Sequence, residues 1–396
     1  MIPAWKLSAA DVLGLACLGV LIGAWLKRKL PLLERLNIPV SIAGGMVFAL
    51  AALLLRDRWV NLEPDTVLRD MLMVAFMTTI GLSARVQFLK DGGGKVVKLL
   101  VISSIGAVLQ NLLGMGIAKV LAVDVRLGIL AGSVALAGGP ATSIAFGGMF
   151  EKMGVAGATA VAMASATFGI VVAGLIGGYI GGWLIRRHGL KSGLTPGVTG
   201  RPAPSAFREA VSERLLATVL VMGVAMGLGN VVSLAMEHAG LILPSYIGAM
   251  IVAAAIRNLD DRYHFANISQ PDVDMLGRIA LYLFIVMALL TLRLWELAHL
   301  ALPLIVILAA QVALCWLMCA TMSFRVMGGD YDSAIMASGF CGYMLGITAN
   351  AVACMEELVE KYGPAPEAFL VVPVVGAFLI DFTNSLIITT MANWLR

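Results

Sequence analysis

The chain has 396 residues, 60% hydrophobic and 13% charged, with a mean hydropathy of +0.93 and a net charge of +4. Soluble domains are about 45–50% apolar and about 25% charged, so this chain has too little polar surface to face water on all sides. The basic residues stand between apolar runs and form no single patch, which argues against nucleic acid as a partner.

Stretches long enough to cross about 30 Å of hydrocarbon recur from end to end. They are continuously apolar and do not alternate, which predicts helices rather than a membrane barrel. Met1 to Lys6 carry one cation, the apolar run continues to Leu26, and Lys27-Arg28-Lys29 follow it. That order predicts a retained first helix, not a cleaved leader. Membrane segments are predicted at 9–26, 38–55, 68–84, 96–120 and 155–185, then at 211–235, 241–256, 274–292, 299–324 and 366–392. The stretches 127–151 and 331–358 are apolar but interrupted by glycine and small polar residues, and they predict re-entrant hairpins. Arg186, Arg187, Lys191, Pro196, Arg201, Pro202 and Pro204 mark the polar stretch 186–210, which holds a linker over 191–210. It divides a first unit, 1–190, from a second, 211–396. All five cysteines (Cys17, Cys315, Cys319, Cys341, Cys354) fall in apolar or Gly-rich segments without a CxxC pair, as expected of buried reduced thiols.

Most of the 28 lysines and arginines collect on one side if the N-terminus is outside, including Lys27, Arg28, Lys29, Arg35, Arg85, Lys90, Lys95 and Lys98. The positive-inside rule then places both termini outside and the linker in the cytoplasm. The two units also resemble each other. Pro39 matches Pro244, Arg85 matches Arg293, Asp124 matches Asp330, Thr142 matches Thr348, and Gly154 matches Gly363, in order and at nearly constant offset. Five crossings per unit is an odd number, so the second unit must enter the membrane upside down. The predicted fold is an all-α polytopic membrane protein of two inverted-topology repeats of five helices, each with a re-entrant hairpin. Secondary transporters use this design to open alternately to two sides.

The first hairpin reads Ala137-Gly138-Gly139-Pro140-Ala141-Thr142-Ser143, and the second runs from Gly339 through Gly346-Ile347-Thr348-Ala349-Asn350. Gly and Pro free backbone groups that cost several kcal/mol each in hydrocarbon unless protein, water or a ligand satisfies them. Half-helix N-termini can hold a carboxylate and exposed carbonyls a cation. Gly138, Gly139, Thr142, Ser143, Gly346, Thr348, Asn350 and Asn384 are therefore the candidate substrate-binding residues; close helix packing is the plainer role for glycines in membranes. Asp381 lies midway along an apolar run beside Thr383, Asn384 and Ser385. An acid at the bilayer centre costs about 2.5–3.5 kcal/mol even on lenient scales, so a functional partner is expected. Sodium, a hard cation, prefers oxygen ligands, and Asp381, Asn384 and Thr167 are the candidates for it. A proton is the other ion that Asp381 can bind. Gln110-Asn111 and Gln311 stand mid-helix before each hairpin, either lining a path or joining helices by amide hydrogen bonds.

Catalytic readings fail on spacing. Gly92-Gly93-Gly94-Lys95 lacks the GxxxxGK pattern, and Val96 replaces its Ser/Thr. His188, His238, His264 and His299 show no metal-ligand spacing. Met327-Gly328-Gly329-Asp330 lacks the first glycine of a membrane aspartyl protease motif, and no Ser/His/Asp arrangement appears. No enzyme activity is expected, and no cofactor.

The residues nonetheless carry a family likeness. Leu294-Trp295-Glu296-Leu297-Ala298 with Leu302-Pro303, the run Phe369 to Phe378 leading into Asp381, Ala164-Ser165-Ala166-Thr167-Phe168-Gly169, and Gly138-Gly139 resemble the bacterial sodium:glutamate symporter family over nearly the whole length. The resemblance implies a homodimer in the bacterial inner membrane that takes up glutamate with sodium as coupling ion. It also implies an elevator-like movement of a core holding both hairpins. The family's GGxGTG hairpin is altered here, with Pro140, Ala141 and Ser143 after the glycine pair, and Phe340 and Met344 make the second tip bulkier. Another small organic anion, such as a 2-hydroxycarboxylate or a different amino acid, is the alternative substrate on the same scaffold. A passive channel is the alternative from another class.

Overall fold

In lipid each segment must close its backbone hydrogen bonds internally, and the chain does so almost wholly with helices. The computed structural model describes residues 4–35, 38–55, 61–85, 93–192, 211–238, 245–292 and 300–395. Pro244, Arg293, Lys90, the motif Leu294–Ala298 and linker positions 193–210 lie outside the described residues.

The first half comprises β1 (Ala4–Leu7), α1 (Ala9–Lys29), the short α2 (Pro31–Arg35), α3 (Val40–Leu55), β2 (Asn61–Pro64), α4 (Val67–Ser83) and α5 (Gly93–Val120). Then come α6 (Val125–Val134), α7 (Gly139–Lys152) and α8 (Ala158–His188). The second half comprises α9 (Val211–His238), α10 (Ser245–Tyr263), α11 (Gln270–Leu290), α12 (Ala301–Met327), α13 (Tyr331–Leu345), α14 (Thr348–Tyr362) and α15 (Pro366–Trp394). Seven helices among the described residues are long and apolar enough to cross a membrane, in α1, α5, α8, α9, α11, α12 and α15. The chain is a multi-pass membrane protein.

Local chemistry explains the ends. Ser8 and Asp11 form a reciprocal cap at the start of α1, and Lys27, Arg28 and Lys29 occupy its last turn, where cations suit the negative end of the helix. Asp124 and Asp330 cap α6 and α13 by accepting backbone N–H bonds from Arg126 and Ser333. Gly154 and Gly363 follow α7 and α14 with φ of +89° and +110°. The parallel pairing of β1 with β2 was not expected from the hydropathy pattern.

The helices pack in two groups. α1, α3, α4, α9, α10 and α11 pack on one another, while α5 to α8 pack with α12 to α15. Each group therefore draws on both halves of the chain. Between the groups, α7 meets α11 and α15 meets α4. The seam is apolar: Phe146 and Phe150 of α7 share a buried cluster with Tyr246 of α10 and Phe284 of α11. Phe146 and Tyr246 meet edge to face with ring centroids 5.8 Å apart. Within the second group, α5 and α6 come so close at Gly114 and Gly128 that a Cβ on either would overlap the other's backbone.

Candidate functional site

Both halves interrupt a helix and restart it. In the first, the end of α6 is a π turn, Leu130–Val134, in which Gly132 leaves helical geometry at φ −100° and ψ −129°. The chain then turns, and α7 begins at Gly139, whose φ of +66° suits a residue without a Cβ. Pro140 follows where its missing N–H costs nothing. In the second, α13 stops at Leu345, Gly346 takes φ −144° and ψ −119°, and α14 restarts at Thr348.

The two interruptions meet. A Cβ built on Gly139 would lie 3.3 Å from Ile347 Cγ2 and 3.8 Å from the Gly346 carbonyl oxygen. Two helix N-termini, those of α7 and α14, thus begin at one junction inside the second group. A helix N-terminus carries partial positive charge, although the Gly139 N–H already donates to the Ala135 carbonyl at 3.1 Å, the Asn350 N–H to the Ile347 carbonyl at 2.9 Å, and Pro140 has no N–H.

Amide side chains from neighbouring helices take up the freed backbone. The Ser133 N–H donates to Asn111 Oδ1 and the Ser133 carbonyl accepts from Asn384 Nδ2, both at 2.9 Å. Gln110 Nε2 donates to the Met344 carbonyl at 2.9 Å, and Gln311 Nε2 to the Gln110 carbonyl at 2.7 Å. Asn350 Nδ2 donates to the Ile170 carbonyl of α8 at 2.9 Å, and Thr348 Oγ1 to the Gly376 carbonyl of α15 at 2.7 Å. Helices α5, α8 and α15 therefore hold both interruptions.

With the amide nitrogens spent, the oxygens are left over. Oδ1 of Asn350 and Asn384, Oε1 of Gln110 and Gln311, and Oγ of Ser133 and Ser143 are buried without a hydrogen-bond partner. A buried acceptor without a donor costs about 1–3 kcal/mol, so this number of them around one junction asks for a ligand that accepts oxygen donors. An alkali cation, which takes oxygen ligands, fits those oxygens.

Other expected residues are placed as follows. Gly138 abuts the buried Thr142 side chain, and a Cβ there would lie 2.6 Å from it. Thr142 is the fourth residue of α7, whereas Thr348 is the first of α14, so the two threonines do not occupy matching positions on their helices. Thr167 is half-buried on α8 and donates to its own helix at Met163, 2.9 Å away. Asp381 is half-buried on α15, one turn before Asn384, and among the described residues nothing donates to its carboxylate. Asn111 and Ser133 are the contributors that the sequence reading underrated. The signals were there, an amide beside Gln110 and a serine beside Gly132, but which backbone group each would reach depends on the fold.

The matched family spans both interruptions: a family model described as Sodium/glutamate symporter matches residues 5–364. The chain belongs to the sodium/glutamate symporter family. The Sodium/glutamate symporter of Escherichia coli (strain K12) is 38% identical over 383 residues, covering 94% of each chain. That of Haemophilus influenzae is 33% identical over 394 residues, covering 96% of each. Both relatives are transporters by name, and this family member is a transporter and not an enzyme. A solved structure of a sodium proton antiporter from Methanocaldococcus jannaschii aligns over 97% of each chain at 16% identity with a TM-score of 0.45.

Proposed function

We propose that the chain carries glutamate or a closely related small anion across the bacterial inner membrane in symport with Na+. The observation that carries this is the meeting of two helix N-termini at Gly139 and Gly346-Ile347, ringed by buried amide oxygens that lack donors. The N-termini of α7 and α14 suit the substrate's carboxylates. The oxygens of Asn384 and Asn350, with the Asp381 carboxylate one turn away on α15, suit sodium. Gln110 and Gln311 are buried and bond the Met344 and Gln110 carbonyls, so in this reading they join helices around the junction rather than line an open path. Sodium and anion each lower the cost of burying the other, which is the physical basis of coupling.

The packing supports an elevator-type cycle over two inverted repeats. Three helices from each half make the first group, and the interrupted pairs with their neighbours make the second, so the junction can travel with its group along the apolar seam. In this reading the first group is the scaffold of a homodimer, the termini are outside, and the linker is cytoplasmic. One Na+ only neutralises a monoanionic substrate; each further cation carried per cycle moves one positive charge, worth about 2.3 kcal/mol through 100 mV, or accumulation of roughly tens-fold.

Reconstitution tests the function. Proteoliposomes holding the purified chain are expected to accumulate labelled glutamate only with an inward sodium gradient. Equal uptake with and without that gradient, for glutamate and for every competing anion, would refute the coupling. A second reading, a different organic anion, is favoured by the bulk of Phe340 and Met344, both fully buried in α13 near its end. Competition of labelled glutamate by a panel of 2-hydroxycarboxylates and amino acids separates the two.

A further inference from the structure

Three thiols that take no part in the junction's hydrogen bonds gather on α12 and α13. Cys315 and Cys319, one turn apart on α12, face Cys341 of α13, and their three Sγ atoms lie within 4.8 Å of one another. This is the one such cluster of potential metal ligands among the described residues. Each cysteine is at most 2% exposed, and the cluster lies in the apolar core shared by α5, α8 and α12 to α15. Two features set it apart from ordinary buried thiols. Three sulfurs converge from two helices to within 4.8 Å, close to the spacing of about 4 Å between trigonal sulfurs at metal–sulfur bonds of about 2.3 Å. A π turn, Cys319–Ser323, also begins at the middle thiol, and such turns are frequent at functional sites.

We propose that Cys315, Cys319 and Cys341 form a binding site for one soft, thiophilic metal ion of the Cu(I), Ag(I) or Cd(II) class. Each ligating thiol gives up its proton to solvent as its sulfur bonds the ion, so up to three protons leave per ion and nothing is oxidised or reduced. The bound ion ties α12 to α13 five residues before the interruption at Gly346. Flexing of that interruption is thereby stiffened, and transport becomes sensitive to thiophilic ions through side chains other than the sodium ligands.

The test is anaerobic titration of the detergent-purified full chain with Cd2+. Sulfur-to-metal charge-transfer absorption, metal analysis and a free-thiol count in denaturant are read together. One ion per chain is expected, with the absorption band present and all five thiols still free after chelation. Cys341→Ala or Cys315→Ala should weaken binding about tenfold or more, since even outer partners of metal ligands are worth that much. Cys17→Ser, on exposed ground, and Cys354→Ala, whose thiol donates toward the Ala173 carbonyl at 3.5 Å, should leave it unchanged. Cd2+ binding without the band, unchanged affinity in both cluster variants, or two thiols lost to a disulfide before metal is added would each overturn the site. The two cluster variants lie on different helices, so a folding failure in one leaves the other as the test.

Discussion

Gln110 and Asn111 are neighbours on α5, yet each holds a different broken helix. Gln110 Nε2 donates to the Met344 carbonyl at the end of α13, and Asn111 Oδ1 accepts the Ser133 N–H at the end of α6, each at 2.9 Å. One peptide unit thus links the two interruptions across the junction. Replacing Asn111 by Leu leaves the Ser133 N–H buried and unpaired, a loss of about 1–3 kcal/mol. A drop in thermal stability together with lost uptake is expected, and melting curves of the solubilised variant beside its transport rate are the check.

Gly139 stands at φ +66° with Ile347 at its side. Gly139→Ala is strained on both counts, by about 1–2 kcal/mol for the left-handed backbone alone, and it narrows the space between the two N-termini. Transport is expected to fall more than stability does. Parallel measurement of melting temperature and of substrate concentration dependence reads the difference; equal losses in both would mark Gly139 as purely structural.

At the helix starts, capping carboxylates set an acid limit. Burial works to raise the Asp330 carboxyl, but the hydroxyl and N–H of Ser333, with Lys95 nearby, hold it below its ordinary value. The Arg126 guanidinium does the same for Asp124. A carboxyl lowered in the folded state contributes stability that is present above its unfolded value of about 3.9 and is lost as pH falls through the folded value. Stability should therefore decline below about pH 4. Asp330→Asn, which still caps, should flatten that decline in melting temperature recorded against pH.

How much of this was legible beforehand follows from where physics constrains sequence most. Hydrocarbon demands continuous apolarity, so the predicted segment 68–84 corresponds to Val67–Ser83 and 96–120 to Gly93–Val120. Gly138-Gly139-Pro140 and Gly346 announced broken helices because those residues free or remove backbone donors. What pairs with a freed group is decided by three-dimensional approach, which no local pattern encodes. Hence the local pattern leaves Ser133 unmarked and aligns Thr142 with Thr348 although they hold different positions on their helices, and the second interrupted pair runs on to Tyr362 beyond the expected 358. The π turns in α12 and α15 and the β1–β2 pairing left no periodic trace at all.

Arg85 meets Asp261 with two hydrogen bonds, at 2.7 and 2.9 Å, joining the end of α4 to α10, and Arg257 reaches the same carboxylate at 3.2 Å. These side chains are outside the junction and within the first packing group. Asp261→Asn should cost about 1.5–3 kcal/mol through weakened charged hydrogen bonds. The sodium concentration that half-activates uptake should stay where it is in the variant; a shifted value would tie this pair to coupling.

Direct binding tests the central claim, that sodium and the anion share the junction. Labelled glutamate is titrated onto the purified protein across a range of Na+ concentrations, for the native chain and for Asp381→Asn and Asn384→Leu. The account predicts that sodium tightens glutamate binding to the native chain, and glutamate tightens sodium binding by the same factor, while both variants lose most of that mutual effect. Glutamate affinity that ignores sodium in the native chain, or a mutual effect that survives intact in both variants, would contradict it.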